Sequence, residues 1–358
     1  MSTSRVNARK VVKTAGLTGL GVGATATLAV GTILGALLRE AITAPPPVDD
    51  GPDQLLATPS PIPERIDVRG NDGAKLNVLA YGPPDGDLIV FAHGWTCNTT
   101  HWFPQLNVFA ATHRVVVYDQ RGHGRSEMGD VKASPELLGQ DLHRVLQAVV
   151  PEGRRALIAG HSMGGMTILS WAMQHPREID RYARAVILNS TAAAELMERL
   201  AVIPDGLPGY TRPFRRLVSR LIASAPVPLP HTPYSTRVTQ YIALNTTARL
   251  AHVEFVDGMV RSCPALARAR WGAAMSAISL TEGVRALDVL TAVVVGTDDR
   301  LTPKLHADTI VDLLKQSGNV FEYLVLPDVG HMSNIEASEE YNALVTRLLS
   351  ATEGRRTV

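Results

Sequence analysis

The chain has 358 residues, a formal net charge of +1, 45% hydrophobic residues and 19% charged residues. This composition supports a sizeable core and excludes a disordered chain, and the near-neutral charge removes any global electrostatic argument for nucleic-acid binding. The only two cysteines, Cys97 and Cys263, are too few for a disulfide-stapled scaffold or a cysteine-rich metal site.

The amino-terminal region predicts a transmembrane helix. A basic segment, residues 1–14, precedes residues 15–38, which form a run of 24 residues without a charge. The core of a bilayer requires about 20 such residues in a helix. Basic residues lie before the run and acidic ones after it, which predicts a cytoplasmic amino terminus. We therefore expect a membrane anchor at 15–38 and the rest of the chain on the extracytoplasmic side.

Alternatives to this anchor stay open at the level of sequence. A signal peptide cleaved after secretion is one, although its apolar region is usually about 7–15 residues long. The spacings Gly19/Gly23 and Gly31/Gly35 suit a dimer interface between transmembrane helices, although a glycine-rich apolar helix without such an interface gives the same pattern. Residues 39–63 are rich in proline and predict a linker that holds the following domain off the membrane surface.

Residues 64–355 alternate predicted strands with predicted helices and form one domain. Short apolar runs are typical of a buried parallel sheet, and the segments between them have helical spacing. The segment at about 191–286 breaks the rhythm and predicts a helical cap insertion. We therefore expect an α/β protein with a mostly parallel, doubly wound sheet. The predicted strands are 75–81, 88–92, 115–118, 156–159, 185–188, 290–295 and 323–326, and the predicted helices outside the cap are 135–149, 164–173, 303–314 and 337–349.

A G-x-S-x-G pattern follows one of these strands and opens the next helix. It reads Gly160-His161-Ser162-Met163-Gly164, with a further Gly165. A tight turn between strand and helix requires small residues around the serine and exposes its hydroxyl at the helix amino terminus. Ser162 is therefore a candidate nucleophile.

A serine nucleophile requires a general base, and the base requires an acid that orients it. Asp299 and His331 follow two later predicted strands, at the carboxyl ends where open parallel sheets collect their ligands. Asp298 is the competing candidate for the acid. Ser162, Asp299 and His331 are thus predicted to meet at one edge of the sheet.

Four motifs together resemble the α/β-hydrolase-fold serine hydrolases, in particular the branch of esterases, lipases and cofactor-free haloperoxidase-like enzymes. The resemblance spans residues 64–349, and its motifs are the H-G-W loop at 91–95, the D-x-R-G-x-G-x-S loop at 119–126, the serine turn and the G-x-x-D-x-x-T-P segment at 296–303. It implies the α/β-hydrolase fold.

The same resemblance implies roles for individual residues. Ser162 would be the nucleophile, His331 the base and then the acid, and Asp299 the orienting carboxylate, because the family spacing selects Asp299 over Asp298. Backbone N–H groups of Trp95 and Met163 would form the oxyanion hole.

The expected activity is hydrolysis of small-molecule carboxylic esters with apolar or lipid-like groups, through an acyl-enzyme and without a metal or another cofactor. A haloperoxidase-like perhydrolase, a carbon–carbon bond hydrolase with the same triad and a non-catalytic ligand receptor are the alternatives. Physiological substrate and acyl-chain length stay open.

Other residues near the motifs have structural interpretations. Asp119 is expected to tie down its loop, and His93, His123 and His161 are expected to shape the loops around the site. Outside the cytoplasm a disulfide between the two cysteines is chemically allowed, but we expect two free, partly buried thiols.

Overall fold

The computed structural model describes residues 26–227 and 232–353. The basic segment 1–14, the first part of the apolar run and the Gly19/Gly23 pair lie outside the described residues. A Cβ atom at Gly31 or Gly35 would meet no atom within 4 Å. The face suggested for dimerisation is therefore open at these two glycines, and its use as an interface stays a prediction.

The centre of the molecule is an eight-stranded sheet with the order β1-β2-β4-β3-β5-β6-β7-β8. Strands β3 to β8 are parallel, whereas β2 pairs antiparallel with both β1 and β4. The α/β fold class with a mostly parallel sheet is confirmed. The strands are β1 (Glu64–Arg69), β2 (Lys75–Tyr81), β3 (Leu88–Ala92), β4 (Arg114–Tyr118), β5 (Ala156–His161), β6 (Ala183–Asn189), β7 (Leu290–Gly296) and β8 (Val320–Leu326).

Strand β1 was not predicted, and its position explains why. It is an edge strand with one neighbour, and four of its six residues are exposed. Only Ile66 and Val68 are partly or fully buried. The sequence of this strand therefore lacks the continuous apolar run that marks the central strands.

Helices cover both faces of the sheet. They are α1 (Ala26–Thr43), α2 (Phe103–Phe109), α3 (Pro135–Val149), α4 (Met163–Gln174), α5 (Ile179–Tyr182), α6 (Leu196–Arg199), α7 (Arg212–Ser224), α8 (Pro233–Ala243), α9 (Leu250–Ser262), α10 (Ala265–Met275), α11 (Thr281–Ala286), α12 (Lys304–Ser317), α13 (Ser333–Glu336) and α14 (Ser338–Thr352). Because strand side chains alternate, Val90 joins a core with α3, α4 and α12, whereas Phe91 joins a second core with α2 and α14.

The segment between β6 and β7 carries α6 to α11. These helices form a cap over the carboxyl edge of the sheet, where β5, β7 and β8 end. The cap therefore covers the positions of the predicted site residues.

Helix α1 contains the described part of the apolar run. It is long and apolar enough to cross a membrane, with a mean hydropathy of 1.4 and 17% of its residues buried. The helix ends at Thr43, five residues beyond the predicted end of the anchor at Leu38. The residues that follow lie against the domain rather than extending away from it: Val48 N donates to Ala248 O (3.0 Å), and Asn107 Nδ2 donates to Leu55 O (2.9 Å).

Candidate active site

Ser162 occupies a tight turn between β5 and α4. Its backbone has φ 53° and ψ −115°, a conformation that residues with a side chain rarely adopt. A Cβ atom at Gly164 would overlap the carbonyl oxygen of Ala92, and one at Gly165 would lie 2.6 Å from Thr191 side-chain atoms. The turn therefore requires glycine at both positions, as the motif predicts. Ser162 itself is 9% exposed.

Asp299 and His331 follow β7 and β8 and form a hydrogen-bonded pair. His331 Nδ1 lies 2.9 Å from Asp299 Oδ2 and 3.0 Å from Oδ1. Thr302 supports the carboxylate, since its backbone N and its Oγ1 both donate to Asp299 at 2.8 Å. Burial opposes ionisation of this carboxyl, but the imidazole of His331 and the bonds from Thr302 hold the pKa of Asp299 below its usual value.

Asp298, the competing candidate for the acid, points elsewhere. It is half-buried, and its Oδ1 accepts a hydrogen bond from Thr297 Oγ1 at 3.3 Å. The structure pairs His331 with Asp299, as the spacing of the family motif implies.

Ser162 lines a cavity with two arms beneath the cap. One arm, which we call the apolar arm, has a volume of about 130 Å³ and is lined by Ser162, Thr302 and a shell of aliphatic and methionine side chains. The second, which we call the wide arm, has a volume of about 480 Å³ and is lined by both Ser162 and His331. Trp95 borders both arms. The predicted nucleophile and base thus face the same space.

The loop at Trp95 approaches Ser162 closely. A Cβ atom at Gly94 would lie 2.6 Å from His161 Nδ1 and 3.2 Å from Ser162 Cβ. Met163 is the first residue of α4, so its N–H has no acceptor within the helix. Both residues predicted to supply backbone N–H groups therefore adjoin the serine.

The wide arm contains charged residues that the sequence analysis did not select. Arg261 and Arg268 line it, and Arg261 Nε donates to Asp257 Oδ2 at 2.8 Å. Arg268 also connects the cap to the loop beside Ser162, because its carbonyl accepts a hydrogen bond from Trp95 Nε1 at 2.9 Å. These residues lie on α9 and α10 with ordinary helical spacing, which carries no signal of a site.

The histidines beside the motifs shape the loops. His93 Nε2 accepts a hydrogen bond from Gln120 N (2.9 Å), so its proton is on Nδ1, which donates to Gly94 O (2.7 Å). His161 Nε2 donates to His331 O at 3.0 Å. Burial lowers the pKa of His93 to about 4, which keeps its ring neutral. The structural interpretation of His93 and His161 is confirmed, and that of His123 too, since its Nε2 accepts from Thr96 N at 3.3 Å.

Asp119 has the predicted structural role. Its Oδ1 accepts a hydrogen bond from Thr99 N (2.7 Å), and its Oδ2 accepts from Asn77 Nδ2 (2.8 Å) and Arg125 N (2.9 Å). These three bonds join β2 and two loops at the carboxyl edge of the sheet.

Both cysteines are free and buried, so no disulfide joins them. Burial raises the pKa of Cys97 to about 12 and keeps it a thiol. Cys97, His101 and His161 each place one potential ligand atom within 4.8 Å of the other two. One thiol and two imidazoles form the kind of donor set that accepts Zn²⁺ or Cu⁺. The expectation of no metal rested on spacing along the chain. Cys97 and His101 lie four positions apart, and the fold adds His161 from the end of β5.

Comparisons with known proteins agree with this geometry. A family model described as "Alpha/beta hydrolase family" matches residues 89–344. The chain is 28% identical to a non-heme chloroperoxidase of Streptomyces lividans over 242 residues, which cover 67% of this chain and 84% of that protein. It is 26% identical to a bifunctional esterase/perhydrolase of Acinetobacter calcoaceticus over 277 residues, covering 73% and 91%.

Its structure is similar to that of a bacterial membrane phospholipase A, with a TM-score of 0.63 at 16% identity, covering 97% of this chain and 99% of that one. At this identity the likeness concerns the fold alone. The family model spans most of the domain and includes Ser162, Asp299 and His331. The chain belongs to the alpha/beta hydrolase family.

Proposed function

We propose that this protein is a membrane-anchored serine hydrolase that cleaves carboxylic esters with an apolar, lipid-like acyl group through an acyl-enzyme intermediate. The observation that carries the proposal is the position of Ser162, which lines both arms of the cavity and faces the same space as the Asp299–His331 pair.

In the proposed mechanism, Ser162 Oγ attacks the ester carbonyl carbon while His331 takes the hydroxyl proton. His331 Nδ1 bonds to Asp299, which leaves Nε2 as the nitrogen for this transfer. His331 then returns the proton to the departing alcohol. A water molecule, deprotonated in turn by His331, attacks the carbonyl carbon of the acyl-enzyme. The bond to Ser162 Oγ then breaks, His331 returns the proton to Oγ, and the carboxylic acid leaves.

The negative charge that develops on the carbonyl oxygen requires donors that are already in place. The backbone N–H groups of Trp95 and Met163 adjoin Ser162 and are proposed to bind this oxygen. Losing one such donor typically costs about 10²–10³ in rate. Close packing of Gly94 against His161 supports the loop geometry on which the Trp95 donor depends.

The lining of the two arms supports an apolar acyl group. The apolar arm is bordered by Leu200, Ile203, Met275 and similar side chains. Its polar side chains are three hydroxyl residues, Ser162, Ser219 and Thr302, and the indole of Trp95. The wide arm carries Arg261 and Arg268 and suits the more polar alcohol portion of an ester. Ile222 borders both arms and is 45% exposed, so the cavity reaches the surface beside α7.

The proposed location is the extracytoplasmic side of a membrane. Helix α1 could act as an anchor or as a signal sequence by length and composition. Basic residues before the apolar run favour a cytoplasmic amino terminus. In cells, the protein should remain in membranes after carbonate extraction, and external protease should degrade the domain. A soluble protein that begins near residue 45 would instead indicate a cleaved signal.

Covalent labelling tests the chemistry directly. A fluorophosphonate probe should label the full-length protein at Ser162, and the protein should hydrolyse p-nitrophenyl esters. An unlabelled, inactive but folded protein would indicate a non-catalytic receptor. A preference for charged or phosphorylated substrates over simple acyl esters would contradict the proposed substrate class.

Perhydrolysis is the second candidate, because the relatives include a bifunctional esterase/perhydrolase and a non-heme chloroperoxidase. In this reaction hydrogen peroxide replaces water, attacks the acyl-enzyme and releases a peracid while Ser162 is restored. Peracid formation from an acyl ester and hydrogen peroxide, lost in Ser162→Ala, would support this activity beside ester hydrolysis.

A further inference from the structure

Helix α1 packs against the cap, although the two are far apart in sequence. Ile33 is fully buried against Ile203 and Val218, and Val30 and Leu37 add to this cluster. Thr32 Oγ1 lies 3.0 Å from the hydroxyl of Tyr210. Val30, Ile33 and Leu37 recur along one face of α1 at helical spacing, so these contacts hold the middle of the helix against α7 and the loop before it.

The segment after α1 is fastened to the cap as well. Arg237 on α8 donates to Pro45 O at 2.8 Å and also bonds to Ala44 O. Val48 pairs with the chain at Ala248 and Leu250 through two backbone hydrogen bonds of 3.0 and 2.7 Å. These bonds fix the end of α1 relative to the cavity.

Leu37 of α1 reaches the cavity. It lines the apolar arm together with Ser162, Leu200 and Ile203. Its neighbour Leu38 is 46% exposed and does not line either arm. The contribution of α1 to the cavity is thus specific to one face of the helix.

We propose that α1 is part of the substrate-binding site, and that Leu37 helps to set the length of acyl chain accepted in the apolar arm. This inference rests on the proposed ester hydrolase function. A leucine in this wall removes apolar surface of a bound chain from water, and a larger side chain there shortens the arm.

One consequence concerns the amino-terminal region. Cleavage of a signal sequence near Ala44 would remove Leu37 and leave the apolar arm without one wall. The buried face of Ile203 and Val218 would then be uncovered. We therefore expect the mature protein to keep α1, with one face on the cap and its exposed leucines, Leu28, Leu34 and Leu38, toward solvent or a membrane surface.

The test compares two substitutions at adjacent positions in the full-length protein. The readout is the ratio of kcat/KM for p-nitrophenyl decanoate to that for p-nitrophenyl acetate. Leu37→Trp should lower this ratio at least tenfold, because the indole occupies the space of a long chain. Leu38→Trp adds the same bulk one position along and should keep the wild-type ratio.

Leu37→Ala is the second variant and adds no bulk. It should shift the preferred acyl length toward longer chains, because it enlarges the apolar arm. It tests the same role of Leu37 if Leu37→Trp does not fold. The role of Leu37 would be overturned if both Leu37 variants kept the wild-type ratio of decanoate to acetate hydrolysis. It would also be overturned if Leu38→Trp lowered this ratio as much as Leu37→Trp does. In either case, hydrolysis of the acetate ester would still support the proposed function. A wild-type protein that hydrolyses no ester of any length would overturn the proposed function itself.

Discussion

His331 Nδ1 lies 2.9 Å from Asp299 Oδ2, although the two residues are 32 positions apart in the chain. They belong to loops after adjacent parallel strands, β7 and β8, which end at the same edge of the sheet. Because this bond occupies Nδ1, it leaves Nε2 of His331 for the chemistry proposed at Ser162.

Asp299→Asn should lower kcat for ester hydrolysis about 10⁴-fold, because an amide neither stabilises the protonated imidazole nor selects its tautomer. Asp298→Asn is the matched control and should keep wild-type activity. Steady-state kinetics on p-nitrophenyl acetate measures both. Loss of activity in Asp298→Asn alone would reassign the acid.

Ser162→Ala and His331→Ala should each lower activity by at least about 10³-fold, and the double variant should be little worse, because the three residues act as one unit. Ser317→Ala, at the end of α12 and outside the cavity, is the matched control. Unchanged hydrolysis in Ser162→Ala would rule out the acyl-enzyme. Circular dichroism should show that all variants stay folded.

Gly164→Ala should lower the free energy of unfolding by about 1–3 kcal/mol and disturb the turn at Ser162, because the new methyl group overlaps the carbonyl of Ala92. Gly258→Ala, on α9, meets no atom within 4 Å and should gain up to about 1 kcal/mol from helix propensity. Urea unfolding separates the two. Equal effects would contradict the close approach at Gly164.

Arg121→Met should destabilise the fold by about 3–5 kcal/mol, because it leaves the buried carboxylate of Asp141 without its partner. The guanidinium side chain is fully buried and bonds to Asp141 and Asp72, both at 2.7 Å. Arg347→Met breaks the exposed pair with Glu322 and should cost less than about 1 kcal/mol. Thermal unfolding of the two variants tests the difference.

Glu336 gives a pH dependence of stability. Burial of its carboxyl raises its pKa to about 7. The backbone N–H of Asn245 donates a hydrogen bond to this carboxyl at 2.8 Å, which lowers the pKa, but burial has the larger effect. The folded protein therefore binds this proton more tightly than the unfolded chain does. The resulting stabilisation is fully present below pH 4.5, which is the ordinary pKa of a glutamate carboxyl. It is lost as the pH rises through about 7, the pKa in the folded protein.

Glu336→Gln cannot ionise and keeps an oxygen for the Asn245 amide. Relative to the wild type, the variant should gain up to about 3 kcal/mol in free energy of unfolding between about pH 4.5 and 8. Denaturant titrations across this range measure the trend. Glu340→Gln, on the exposed side of α14, is the matched control. A difference from the wild type that does not change with pH in Glu336→Gln would contradict the raised pKa of Glu336.

The central strands and the serine turn were predictable because their signals are local. Five apolar residues in a row at Leu88–Ala92 mark a central strand without reference to the rest of the chain, and all five are buried in the structure. Every residue that the turn requires lies within six positions of the sequence, 160–165. Asp299 was distinguishable from Asp298 only through the family spacing, and the structure agrees with that choice.

The walls of the cavity were decided by tertiary structure alone. Leu37, Arg261 and Arg268 lie on ordinary helices. They reach the cavity because α9 and α10 belong to the cap and α1 packs against it. His161 likewise joins Cys97 and His101 only in the fold. Sequence patterns record which face of a helix is apolar, but not which distant surface will cover it, since that depends on the packing of many side chains at once.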